Sequence, residues 1–432
     1  MRHALGETVE ATVDRIGADG DGIAFTAAGE TLFVAGALPG ERVRAETGKR
    51  RGEGWAPAVW ELLSRSPDRV EPPCPHFGRC GGCVLQHWSD ERYVAWKADQ
   101  LQAALRRAGF DIKVNQPARA AAHERRRVDF ALRRRAGAVI VGLHAARSAE
   151  VVDILECPVL APPLMAMTAP LRAMLREISG LRREGSAVVN LLDNGPDLLL
   201  RGDAPLRADD RTRLARFAAE QGISRISWAV GKGEPETAAQ LLRPEVALGG
   251  VSVSPPAGAF LQASAAGEAA IVSAALAGLP KRLPAKARVA DLYAGNGTLT
   301  FPLAQRTRVD AFEGDAQAAA SLREAARQSS LGGRITVAAR DLTRQPLAGR
   351  ELAAYAALVV DPPYAGAPVQ SAEIARARVP CVVYVSCNPA ALARDAALFA
   401  AAGYRLTAAT PIDQFLWSAR LESVCVFALT RG

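Results

Sequence analysis

Residues 382–389 read VVYVSCNP, so Cys387 stands where a run of β-formers gives way to Asn-Pro. A thiolate is the strongest nucleophile among the ordinary side chains. The strand fixes its position, and the Asn-Pro turn presents it to a cleft at the strand's end. Cys381 and Cys425 lie inside strand-like runs and read as small core residues.

Acids close the preceding apolar runs: Asp291 in VADLYAGNG, Glu313 in VDAFEGD and Asp341 in AARDL. Gly295 and Gly297 occupy the turn after the first of these, where a backbone free of Cβ atoms lets a ligand approach. A carboxylate at the second strand end can accept both hydroxyls of a ribose, and one at the third can meet an adenine amine. The spacing does not itself separate S-adenosylmethionine from NAD, but the turn lacks the full G-x-G-x-x-G fingerprint of the dehydrogenases. The next strand end reads VVDPPYAG, where two prolines stiffen the turn after Asp361 and Tyr364 offers a ring for stacking a planar base.

A second cluster sits far upstream. CPHFGRCGGC places Cys74, Cys80 and Cys83 in a C-x5-C-x2-C pattern, and Cys157 follows in ECPVL. Four thiolates suit either zinc or an iron–sulfur cluster, and spacing does not choose; His76 and His87 are further candidate zinc ligands. Seven cysteines, an odd number, argue against a disulfide framework. The formal net charge of +8 favours a polyanionic partner. In HERRRVDFALRRR, Arg125, Arg126 and Arg127 are the candidates for phosphate contact.

These residues need elements to position them. Residues 1–62 alternate short apolar-patterned runs with Gly-rich turns, which predicts a small OB-like β-barrel. SRSPDRVEPPCP reads as a linker. Residues 70–255 combine one helical segment with several strand-like runs and read as a mixed α+β domain holding the cysteine loop. Residues 256–432 alternate strand and helix, which predicts a doubly wound, Rossmann-like α/β domain. The first twenty residues lack an apolar leader pattern and no later run has bilayer-spanning length, so a soluble cytoplasmic chain is expected.

DLYAGNGTLTFPLA (291–304), VVDPPYAGA (359–367), VYVSCNPAALARD (383–395) and RLESVCVFAL (420–429) together resemble the RNA uracil-5-methyltransferases. The resemblance runs through essentially the whole chain and is nearest the 23S rRNA 5-methyluridine branch, which carries a TRAM barrel and a 4Fe-4S cluster. It implies a class I methyltransferase domain that uses S-adenosylmethionine, Cys387 as nucleophile and Glu422 as base. Gln262, Tyr293, Gly295, Thr298, Glu313, Asp341 and Asp361 would line the donor pocket. Cys74, Cys80, Cys83 and Cys157 would hold the cluster, in an architectural role. Arg125, Arg126, Arg127 and Tyr364 would meet RNA, ribosomal RNA being favoured, and the chain is expected to act as a monomer. At Tyr364 the family usually carries arginine, and at Thr298 often asparagine. Two other readings are open: an amine-directed nucleic-acid methyltransferase using DPPY, and an RNA-binding ribosome assembly factor without catalysis.

Overall fold

The computed structural model describes residues 3–429. In its N-terminal part, seven short strands form one curled, mostly antiparallel sheet. The long strand Thr8–Ile16 pairs with Gly22–Phe25 on one side and Arg42–Glu46 on the other, bending at a register shift between Val13 and Arg15. Its alternating Val9, Ala11 and Val13 face a core with Leu32, Val34, Val43 and Trp55, as a period of two requires of a half-buried strand.

The middle of the chain builds a second seven-stranded sheet from residues 127–240, antiparallel except where Gly195–Gly202 runs parallel to Arg225–Val230. Helices Thr168–Glu177 and Ala208–Gln221 contribute Leu171, Leu175, Leu214 and Phe217 to the same core as Phe130, Val189 and Trp228.

The C-terminal sheet has eight strands. In spatial order they are Ile335–Ala339, Arg308–Glu313, Arg288–Leu292, Ala357–Val360, Cys381–Ser386, Glu422–Leu429, Tyr404–Asp413 and the two-residue strand Ala118–Arg119. The first five run parallel, and Glu422–Leu429 then enters antiparallel between Cys381–Ser386 and Tyr404–Asp413. The central strands Ala357–Val360 and Cys381–Ser386 are buried along their whole length, as expected of a sheet covered on both faces. The chain order reverses between Arg288–Leu292 and Ala357–Val360, and a ligand crevice is expected outside the C-terminal strand ends at such a switch point.

Three pieces of the 70–255 segment pack onto this C-terminal sheet. Helix Asp90–Arg107 places Leu101 and Leu105 in one core with Tyr384, Phe399 and Phe427. Burying each of these leucines fully contributes about 1.5–3 kcal/mol. Ala118–Arg119 extends the sheet edge, and the hairpin Val246–Leu248/Val251–Val253 packs with Ala294, Phe301 and Leu322. Helical periodicity identifies an apolar face but not the surface that will cover it. Among the described residues no helix is long and apolar enough to cross a membrane.

Candidate active site

The thiol of Cys387 lies between a fully buried strand and a helix whose start is tightly capped. Asn388 accepts hydrogen bonds from the N–H groups of Ala390 and Ala391 at 3.0 and 3.4 Å, and Pro389 opens the helix Pro389–Ala401. The Ser386 hydroxyl accepts from the Asn388 N–H at 3.2 Å, and the Ser423 hydroxyl donates to the Ser386 carbonyl at 3.1 Å. Cys387 itself is half-buried, whereas Cys381 and Cys425 are buried.

Glu422 reaches the same rim because its strand is antiparallel. Ser423 pairs with Ser386, so the first residue of the incoming strand lies level with the residue that leaves the outgoing one. Glu422 is 5 % exposed, and Gln414 Nε2 donates to its Oε2 at 3.0 Å. The same Nε2 donates to Gln262 Oε1 at 2.8 Å, and Gln414 Oε1 accepts from the Ala263 N–H at 3.1 Å. Gln414 thereby links Gln262 to Glu422. Sequence reasoning missed it, since a glutamine in a strand-end PIDQF carries no local signal.

Charge in this rim is crowded. Burial, and then the neighbouring Asp361, hold the Glu422 carboxyl above the ordinary glutamate range; burial raises Asp361 as well. The Cys387 thiol is pushed up to about 11 by burial first and then by Glu422 and Asp361, while the Arg420 guanidinium pulls it down. Arg420, also unremarked in the sequence, lies 4.2 Å over the exposed ring of Tyr364. Asn388 Nδ2 donates to the Tyr364 carbonyl at 3.0 Å and so ties the DPPY turn to the residue after Cys387.

The acids of the first strand ends gather on the other side of the switch point. Glu313 accepts from the Gly295 N–H through Oε2 and from the Asp315 N–H through Oε1, both at 2.7 Å, which orients it toward the glycine turn. Gly295 has φ 55°, and a Cβ built there would meet nothing within 4 Å, so its surroundings stay open. Gly297, φ 102°, is required for packing instead, because a Cβ would lie 2.5 Å from Phe301 and 2.6 Å from Leu322. Asp291 is buried and pushed up to about 7, chiefly by burial; Thr300 donates to its Oδ2 at 2.5 Å, and its Oδ1 has no partner. Asn296 donates to the Phe260 carbonyl at 3.4 Å, and its buried Oδ1 is likewise unpartnered. Two orphaned acceptors at one turn suit a ligand that donates hydrogen bonds. Tyr293 adopts a left-handed φ of 64° and is half-buried, as is Thr298. Asp341 is exposed and caps its own turn, its carboxyl held low by the Thr343 N–H at 2.9 Å.

The three arginines differ from one another. Arg126 pairs with Glu268 at 2.7 Å and donates to the Gln262 carbonyl at 3.2 Å, bracing the segment that carries Gln262. Arg125 Nε donates to the Arg127 carbonyl at 2.9 Å. Arg127 lies 5.6 Å over the ring of Phe260, which is 66 % exposed. Two of the three are engaged within the protein, because an arginine run near a strand start meets carbonyls and carboxylates that sequence does not display.

Among the described residues no three His, Cys, Asp or Glu side chains converge as ligands of one metal ion. The four upstream thiols are nonetheless neighbours. Burial raises Cys74, Cys80 and Cys83, the last to about 12, and the Cys157 sulfur adds to each. Neither histidine joins them. His76 Nε2 accepts from the Leu155 N–H at 3.2 Å, while His87 is buried against Phe77 and pushed down to about 4 by burial. A single zinc, with Zn–S bonds of about 2.3 Å, would need the sulfurs drawn closely together. A four-iron cluster bonds each sulfur to a different iron and spreads them wider. Four thiols with no histidine among them suit either group, so the residues present fit a four-iron cluster as well as a zinc ion.

The doubly wound sheet of this strand order, with acids at successive strand ends around a glycine turn, defines a Rossmann-like class I methyltransferase domain. Comparison with known proteins places it more closely. The tRNA (uracil-5-)-methyltransferase family model matches residues 256–430, and the TRAM domain model matches residues 2–47. An uncharacterized RNA methyltransferase of Brucella suis is 39 % identical over 99 % of both chains. The 23S rRNA (uracil(1939)-C(5))-methyltransferase of Pectobacterium atrosepticum is 34 % identical over 94 % of this chain and 90 % of its own. The corresponding enzyme of Halomonas elongata is 35 % identical over 96 % and 88 %. The Pyrococcus abyssi tRNA (uracil-54, C5)-methyltransferase, solved with S-adenosyl-L-homocysteine, shares the fold with a TM-score of 0.73 over 97 % of this chain and 99 % of its own, at 21 % identity. This chain belongs to the RNA uracil-5-methyltransferase family and is an enzyme of that class.

Proposed function

We propose that the chain transfers a methyl group from S-adenosylmethionine to carbon 5 of a uridine in 23S ribosomal RNA, through a transient bond between Cys387 and the base. The observation that carries this reading is the Ser386–Ser423 pairing, which sets Cys387 and Glu422 on one rim beside Asp361. Carbon 5 of uracil is too weak a nucleophile to attack a methyl group unaided. Addition of the Cys387 thiolate to carbon 6 pushes the ring electrons into an enolate, and carbon 5 then attacks the methyl. The donor supplies that methyl and leaves as a neutral thioether. Glu422 removes the proton from carbon 5, the 5,6 double bond re-forms, and the carbon–sulfur bond breaks to release the thiolate. A carboxyl raised by burial is matched to this step, because once ionised it holds a proton strongly. The target base must leave its stack to reach the rim, and Tyr364 offers a face for it.

On the donor side, the Glu313 carboxylate has lone pairs left for ribose hydroxyls, and Asp291 Oδ1 and Asn296 Oδ1 are free acceptors for the donor's ammonium group. Tyr293, Gly295, Thr298, Asp341, Asp361 and Gln262 complete the proposed lining. Cys74, Cys80, Cys83 and Cys157 would hold a 4Fe-4S cluster that fastens their loop to the middle sheet; no electron is needed in the transfer. Of the arginines, Arg127 beside Phe260 is the one we assign to RNA. Ribosomal rather than transfer RNA is favoured because the relatives named for 23S rRNA match at 34–35 % identity over at least 94 % of this chain.

Incubation with 5-fluorouridine RNA and methyl donor tests the chemistry. Fluorine at carbon 5 cannot leave as a proton does, so the parent chain is expected to be trapped as a covalent complex, and Cys387→Ala is expected to give none. Methylation without trapping would instead indicate amine-directed transfer. Mapping 5-methyluridine in ribosomal RNA from cells with and without the gene tests the substrate.

A further inference from the structure

The catalytic carboxylate opens a sheet strand, where Glu422 pairs with Ile412, but the loop leading into it is not held by the methyltransferase sheet alone. Residues 414–421 connect the last two strands and carry Gln414, Arg420 and, at the exit, Glu422. Elements from far upstream grip this loop. The Tyr93 hydroxyl donates to Asp413 Oδ2 at 2.8 Å and accepts from the Trp417 N–H at 2.8 Å. Lys97 forms a 3.1 Å ion pair with Asp413 Oδ1 and donates to the Arg420 carbonyl. Tyr93 and Lys97 are both 0 % exposed, and Asp413 is 1 % exposed. A lysine so fully buried is normally found only with a partner, and here its partners lie at the two ends of the loop. From a third direction, the N–H groups of Val84 and Leu85 donate to the Trp417 carbonyl at 2.8 and 3.0 Å. These two residues directly follow Cys83, so the loop bearing the thiols also holds the loop bearing the base.

Trp417 has φ 54°, the left-handed region that a bulky side chain rarely enters without outside support. Its N–H and carbonyl are the two groups gripped. Within the loop the Ser418 N–H and hydroxyl donate to the Phe415 carbonyl at 3.2 and 2.9 Å. Those bonds leave the Trp417 N–H and carbonyl to the outside grip; if that grip is lost, Gln414, Arg420 and Glu422 lose their common frame.

We propose that Tyr93 and Lys97, together with the Val84–Leu85 backbone, are positioning elements for the reaction: they clamp Trp417 and Asp413 so that Glu422 faces Cys387. The inference rests on the C5-methylation reading. It makes a separate prediction about which step suffers, because addition and methyl transfer use Cys387, whereas proton removal from carbon 5 uses Glu422.

Tyr93→Phe removes one oxygen and keeps the buried ring. With ordinary uridine RNA and methyl donor, it is expected to slow turnover by about tenfold or more while donor affinity stays within about twofold. It is also expected to accumulate a covalent protein–RNA adduct that the parent does not, and to speed amide exchange across 415–420 by about tenfold, with exchange in Arg288–Leu292 unchanged. Lys97→Met, which keeps the buried stem, tests the clamp from the Arg420 end and is expected to behave in the same way. Parental turnover despite faster exchange, or parental exchange in both variants, would overturn the clamp. Failure of the parent chain to trap 5-fluorouridine RNA would overturn the methylation reading instead, and amide exchange would still decide the clamp.

Discussion

At the scale of single residues, the rim combines groups that each dislike charge. Cys387, held up to about 11 by burial and by two neighbouring carboxyls, is a thiol at neutral pH. Its alkylation by iodoacetamide, read on the peptide by mass spectrometry, is expected to rise about tenfold per pH unit from 7 to 9, since the thiolate is the reacting form. Arg420→Met is expected to shift that profile to higher pH, because the variant removes the guanidinium that favours the thiolate. An unmoved profile would mean that the stack on Tyr364 leaves the charge too far away to act. Asp291 gives a second test. Its folded value of about 7 lies above the usual carboxylate value of 3.8, so the native state binds the extra proton. Stability from this group is complete below about pH 4 and is lost as pH rises through 7. Asp291→Asn does not titrate, so its thermal midpoint relative to the parent is expected to rise between pH 4 and 8; a constant difference would contradict the assignment.

At the scale of elements, the glycine turn after Arg288–Leu292 separates two requirements that a motif cannot tell apart. Both glycines have a positive φ, but Gly295 leaves open space, whereas Gly297 has no room for a Cβ. Gly297→Ala is therefore expected to destabilise the chain by more than the roughly 1 kcal/mol typical of a strained backbone position, seen as a lowered denaturation midpoint. Gly295→Ala is expected to weaken donor binding in a titration more than it lowers that midpoint.

At the scale of the whole molecule, the segments before residue 256 complete the catalytic unit rather than merely precede it. Leu101 and Leu105 close the core around Phe399 and Phe427, and Tyr93 and Lys97 reach Asp413. Leu101→Ala is expected to cost about 2–5 kcal/mol, the range for a fully buried leucine. A fragment covering only 256–432 is expected to expose that apolar patch and to bind donor poorly, as checked by solubility and calorimetry. A well-folded fragment with parental donor affinity would show that the upstream helix is dispensable.

The residues alone determined a good deal. Strand–helix alternation gave the doubly wound sheet, because period and turn chemistry are local, and the acids Asp291, Glu313 and Asp361 fell at strand ends for the same reason. The family resemblance supplied Glu422 as the proposed partner of Cys387, but only an antiparallel insertion beside Cys381–Ser386 brings the two to one edge. Tertiary structure also decided that Arg125 and Arg126 face inward partners, and that Gln414 and Arg420 belong to the rim. It decided as well that Tyr93, more than three hundred positions away in the chain, accepts a hydrogen bond from Trp417 in the loop before Glu422. Such contacts depend on which surfaces meet after the chain has folded, and hydrophobic period, turn residues and charge runs carry no record of that.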